Sequence, residues 1–259
     1  MAKGKIYIGT SGWSNSSWKG IFYPQQTKSK EFLDFYAQHF NAAEINSTFY
    51  HIPKATTVEN WIKNVPVDFK FAVKISQYLT HIKRLKEPEE PLERFFTAVE
   101  PLQKHIGPVL IQLPPSLKFN YETVSHFFEI LKSKHNKYAF VLEARHASWF
   151  EADALSLLVK YGIALVLSES GGRYPLAEPI DTHNIYIRFH GPEKLFDSPH
   201  SDEMLEDYAK KILKWQKKGH DVWVFFNNTM NEHALENSAK LKEYLGIKPH
   251  LVQKKPKSF

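Results

Sequence analysis

The chain has 259 residues, 42% of them hydrophobic and 14% aromatic, with a formal net charge of +6 and no cysteine. That length suits one large α/β domain or two small ones, and the missing cysteines exclude a disulfide framework, a thiolate metal site and a cysteine nucleophile. No apolar run approaches the ~20 residues of a membrane span, and the opening "MAKGKIYIGTSGW" lacks the apolar core of a secretory signal, so a cytoplasmic protein with no membrane partner is expected.

Eight short runs rich in Val, Ile, Phe and Tyr read as strands: 5–10, 42–46, 69–75, 108–113, 138–144, 163–168, 184–190 and 221–227. Between them the period changes. Phe32, Phe35, Tyr36 and Phe40 recur at helical spacing, as do Leu92, Phe95, Phe96 and Val99. Val124, Phe127, Phe128 and Leu131 follow the same rule, and so do Met204, Tyr208, Ile212 and Trp215. These stripes are core-facing helix surfaces. The sixth connection, "ESGGRYPLAEPIDTH", is too rich in Gly and Pro for a full helix.

Strand–helix alternation predicts a parallel sheet, because parallel neighbours need crossovers. Eight strands in this length predict a (β/α)8 TIM barrel over residues 1–250, with a basic tail at 251–259. A doubly wound open sheet is the alternative, but the first turn, "GTSGWSNSSW", carries no phosphate-cradling glycine motif.

In such a barrel the chemistry lies at the carboxyl ends of the strands, and alternate residues face inward. The polar residues there are Thr10, Ser11 and Trp13; Glu44 and Asn46; Lys74 and Ser76; Gln112; Glu143, Arg145 and His146; Ser168 and Glu169; Arg188 and His190; Asn227 and Asn228, with Thr229 poised to open the last helix. Charges at the same end of consecutive apolar strands point to one mouth. The bland reading is a buried network in which Glu44 and Glu143 are neutralised by Lys74, Arg145 and Arg188.

"GTSGW" (9–13), "WKGIFYP" (18–24), "EINSTFY" (44–50), "GPVLIQLPPSLKF" (107–119), "EARHASW" (143–149), "YIRFHG" (186–191) and "VWVFFNNTMNEHALENS" (222–238) resemble blocks of the domain of unknown function 72 family, the YecE-like proteins. The resemblance spans nearly the whole chain. It implies a TIM barrel and supplies no reaction.

The chemistry stays open among several readings. A metal-free anion site would use Lys74, Arg145 and Arg188 for charge and Asn227 and Asn228 for orientation, with Trp13, Trp18, Tyr50 and Trp149 as stacking faces. Its ligand would be a phosphate-containing small molecule or a nucleic acid. Metal-assisted phosphoester hydrolysis would hold a divalent ion on Glu143, His146 and His190, with Glu44 beside them. In catalytic terms Glu143 is the candidate base, His190 the proton donor and Glu44 the assistant. A sugar-isomerase-like proton transfer would pair Glu143 with Lys74 or His190. A non-enzymatic binder of nucleic acid or phosphometabolite is the remaining class.

Overall fold

The computed structural model describes residues 2–247, so the expected basic tail at 251–259 lies outside the described residues. The described residues form nine strands: β1 (Ile6–Thr10), β2 (Ala42–Ile45), β3 (Lys70–Lys74), β4 (Ile106–Gln112), β5 (Phe140–Glu143), β6 (Ala164–Leu165), β7 (Leu167–Glu169), β8 (Asn184–Phe189) and β9 (Asp221–Phe226). They are the eight expected staves. The sixth is interrupted at Val166, so that β6 pairs with β5 and β7 with β8.

Every strand pairing is parallel, in two sheets of order β1-β9-β8-β7 and β2-β3-β4-β5-β6. The sixth stave joins the sheets on one side. On the other side, β1 and β2 run side by side without a backbone ladder among the described residues. Two side chains take its place. Asn41 accepts from the Ile8 amide at 2.8 Å and donates to the Ile6 carbonyl at 2.9 Å. The Tyr36 hydroxyl accepts from the Thr10 amide at 2.7 Å and reaches the Ala42 carbonyl at 3.2 Å. Gly9 permits this approach: a Cβ there would stand 2.1 Å from the Ala42 oxygen. The architecture is TIM-barrel-like, with one seam closed by side chains in place of main chain.

The helices are α1 (Phe32–Tyr36), α2 (Ser47–Tyr50), α3 (Ala55–Lys63), α4 (Glu89–Val99), α5 (Tyr121–Lys134), α6 (Ala152–Tyr161), α7 (Asp202–Lys217) and α8 (His233–Tyr244). Their starts and stops follow local chemistry. Asn120 and Ser201 cap α5 and α7 by accepting from Thr123 and Met204, and Gly162 at φ 67° ends α6. The stripe from Phe32 to Phe40 is only partly helical, because α1 ends at Tyr36 and the chain turns there toward Asn41. No helix is present between β7 and β8, as the composition of that connection predicts. No helix of the described residues is long and apolar enough to cross a membrane.

The core has two compartments. The larger fills the space between strands and helices and contains all four buried faces predicted from the stripes, Phe95, Phe127, Phe128 and Ile212 among them. The smaller lies within the staves: Tyr7, Ala42, Ala72, Leu110, Val141, Ala164, Val166, Tyr186, Trp223 and Phe225. Tyr7 stacks on Trp223 with ring centroids 3.8 Å apart. This inner cluster sets the site. Two residues on from Ala42, Ala72, Leu110, Val141, Val166, Tyr186 and Phe225, the alternation of the strand delivers Glu44, Lys74, Gln112, Glu143, Ser168, Arg188 and Asn227 to the mouth.

Candidate functional site

Arg188, on β8, is the hub of the mouth. Its Nε and Nη2 donate to Glu44 Oε2 and Oε1 at 3.0 and 2.7 Å, and its Nη1 donates to Glu143 Oε2 at 2.5 Å. Arg188 is 1% exposed and both glutamates are 0% exposed, so the three charges share a dry interior. Each carboxylate has further donors. Ser11 and Tyr186 both donate to Glu44 at 2.7 Å. Arg145 donates to Glu143 Oε1 through Nε at 3.2 Å and Nη2 at 3.0 Å, and Ser168 adds a third donor at 3.2 Å.

Burial pushes the Glu44 carboxyl up, but Arg188 and the hydroxyls outweigh it and hold it below the usual carboxylate range. Glu143 is opposed by burial in the same way, and Arg188 and Arg145 hold it well below that range. Both are therefore fixed anions, and Arg188 is held charged between them. A carboxylate gripped in this manner is a poor proton carrier near neutral pH. The network expected as the bland reading exists for Glu44, Glu143, Arg145 and Arg188, and it excludes Lys74.

Lys74 ends β3 without an ion pair to any described residue. Its Nζ donates to Gln112 Oε1 at 2.7 Å and sits 3.9 Å from the centre of the Phe49 ring. It is 7% exposed. Burial, and then the nearby Arg188, push its ammonium down to about 7, although Glu143 and Glu44 pull the other way. At neutral pH this amine is divided between its two protonation states.

His190 accepts at Nδ1 from the Asn227 amide, 2.9 Å away, which leaves the proton on Nε2. That atom lies 3.3 Å from Glu143 Oε1 without the alignment of a hydrogen bond. Burial lowers the imidazole pKa despite Glu143, so the ring is neutral. Arg145 is only partly buried, lies 4.4 Å from the Tyr174 ring centre, and has an Nη1 with no partner among the described residues.

Several expected residues are placed elsewhere. His146 caps the short turn at Ala147–Phe150, its Nδ1 accepting from the Ser148 amide at 3.1 Å. Asn228 donates to Ser198 O and Asn237 Oδ1, both at 3.0 Å, and so ties its loop to α8. Thr229 does not open the last helix, which starts at His233 after an intervening loop. Trp18 and Trp149 are sealed in the core, with indole N–H groups donating to Asn231 O and Leu117 O. Trp13 packs edge-on against Trp61, and Tyr50 lies on the surface. Among the described residues no three His, Asp or Glu side chains gather as a metal site. Glu143 and His190 meet, but His146 turns away.

Tyr186, Phe49 and Tyr174 were not singled out from the sequence. Tyr186 precedes Arg188 by two, and that phase was its signal. Tyr174 lies in the irregular β7–β8 connection and had none.

The family described as "Protein of unknown function DUF72" matches over residues 7–258. The chain belongs to that family. It is 29% identical to the UPF0759 protein YunF of Bacillus subtilis, with 93% of this chain and 95% of that protein covered. It is 25% identical to the UPF0759 protein YecE of Escherichia coli over 82% of each. A crystal structure of a DUF72 family protein from Thermotoga maritima superposes with a TM-score of 0.83 at 29% identity, covering 93% of this chain and 99% of that one. A sugar phosphate isomerase/epimerase from Parabacteroides distasonis shares the fold, with a TM-score of 0.52 at 11% identity over 97% and 96% of the two chains.

Proposed function

We propose that this member of the DUF72 family is an enzyme that transfers a proton at a carbon beside a carbonyl group of a small, phosphate-bearing substrate, with Lys74 as the acid–base group. One observation carries the reading: Lys74 is a nearly buried amine at the mouth, free of carboxylate partners and balanced near neutral pH. General acid–base catalysis works best with such a matched group. The glutamates act one layer down. Glu44, Glu143, Arg145 and Arg188 cancel in charge, so Lys74 leaves the mouth neutral or singly positive. Arg145, fixed by Glu143 and Tyr174, turns its remaining Nη1 to the substrate's anionic group. Asn227 orients His190, whose ring flanks Glu143 at 3.3 Å on the other side.

The test is deuterium incorporation from D2O into a panel of phosphorylated ketoses and aldoses, followed by NMR. The wild type incorporates deuterium beside the carbonyl, with a rate that rises through pH about 7 as Lys74 loses its proton. Lys74→Met loses at least a hundredfold of that rate, and Arg145→Met raises the substrate concentration needed. A wild type inert across the panel, or an active Lys74→Met, rejects the reading.

A further inference from the structure

Away from Lys74, a cavity of about 390 Å³ opens between the loops that follow β3, β4 and β5. Its polar wall includes Arg84, Lys86 and Lys118, and its apolar wall includes Ile82 and Leu117. Lys83 also lines it but is paired with Glu87. Among the described residues, Arg84, Lys86 and Lys118 form no ion pair, and no carboxylate lines the cavity. Three cations around one opening, with no carboxylate among its lining residues, give it a positive potential that favours an anion.

Arg84 is already set in place. Its Nη1 and Nη2 donate to Ser116 Oγ and O at 3.2 and 2.8 Å, which orients the guanidinium and leaves further N–H groups unused. The backbone there is strained. Arg84, Leu85 and Glu87 adopt positive φ of 52°, 67° and 46°, directly after a π-turn at Tyr78–Ile82. Non-glycine residues in that region are uncommon and collect at ligand sites. Leu85 holds the strain by burying its side chain and donating its amide to Leu79 O at 3.0 Å. The α5 N-terminus adjoins the cavity but is capped by Asn120, so side chains supply the charge.

We infer that this cavity is a second anion site, distinct from the mouth, for a phosphorylated ligand carrying two or more negative charges. Arginine and lysine together suit such a group, the fork for its oxygens and the ammoniums for its charge.

The test titrates inorganic pyrophosphate into the full chain by calorimetry at low and at high salt. The wild type binds one equivalent, more weakly as salt rises. Lys86→Gln/Lys118→Gln, at two exposed positions that leave the fold intact, weakens binding at least tenfold, and Arg84→Gln does the same. Lys132→Gln/Lys134→Gln, which removes equal charge at the far end of α5, retains it, as does Arg145→Met, which removes the anion contact at the mouth. Three results overturn the inference: no saturable binding to the wild type at low salt; equal loss in the Lys132/Lys134 control; or loss in Arg145→Met with retention in Lys86→Gln/Lys118→Gln, which would place the anion at the mouth.

Discussion

Arg188 grips Glu44 with two nitrogens, at 3.0 and 2.7 Å, and commits its third to Glu143. All three side chains are buried, so neither carboxylate has water to fall back on. Removing one member of a buried ion pair costs about 3–5 kcal/mol, because the remaining charge is left without compensation. Arg188→Met leaves Glu44 with hydroxyl donors alone and Glu143 with Arg145 as its one cation, and a loss within that range is expected. Arg188→Lys does little better, since a point ammonium cannot reproduce three directed donors. Urea denaturation at pH 7 measures this; a loss under about 1 kcal/mol for Arg188→Met would mean that water readily replaces the guanidinium.

The same network predicts the acid limb of stability. Glu44 and Glu143 are held below the ordinary carboxylate range in the folded chain. As pH falls, the unfolded chain therefore binds protons first. The contribution of the pair is fully present above the unfolded carboxylate values near 4, and is lost as pH falls through the folded ones. Glu143→Gln has one such group fewer. Its urea midpoint, lower than that of the wild type at pH 6, should fall less steeply toward pH 3. Parallel curves for the two proteins would show that Glu143 titrates alike in both states.

Much of this arrangement was legible in the sequence, for a reason of period. Glu143 with Arg145 and Arg188 with His190 stand two apart at the ends of apolar strands, and both pairs turn to one side, whereas Asn46, two on from Glu44, already has helical backbone ahead of α2. The neutralised network followed from that phase and the balance of charge. The partner of Lys74 did not. Phase brings it to the mouth, but distance decides which oxygen it meets, and that oxygen belongs to Gln112. Asn228 misled for a complementary reason: at the end of β9 the alternation stops, and the next amide turns to Ser198 and α8. The break at Val166 was equally invisible, because a strand that changes sheets keeps its composition.

Lys74 gives the opposite pH signature to the glutamates. Its folded pKa, about 7, lies below the unfolded lysine value near 10.4. Between those values the unfolded chain holds more protons, so the wild type gains stability as pH rises. Below pH 7 both states carry the charge, and the folded state bears the cost of burying it. Lys74→Met lacks that dependence. It should exceed the wild type in stability at pH 6, with the gap narrowing by pH 9.5. Urea midpoints of both proteins across this range decide the matter, and a constant gap would refute a depressed Lys74.

The seam between β1 and β2 rests on Asn41 and Tyr36 where the other staves use main chain. Asn41→Ala removes the acceptor of the Ile8 amide and the donor to the Ile6 carbonyl together. Each backbone group left unpaired away from water costs about 1–3 kcal/mol. Asn41 is half-buried, so water recovers part of this, and a loss of about 2–3 kcal/mol is expected. Tyr36→Phe takes away the acceptor of the Thr10 amide at the mouth end of the same seam. Amide hydrogen exchange separates the two variants. Ile8 should exchange faster in Asn41→Ala and Thr10 faster in Tyr36→Phe, while the laddered amides of β8 keep their protection relative to global stability. Uniform acceleration across all strands would instead mean that the seam opens only with the whole fold.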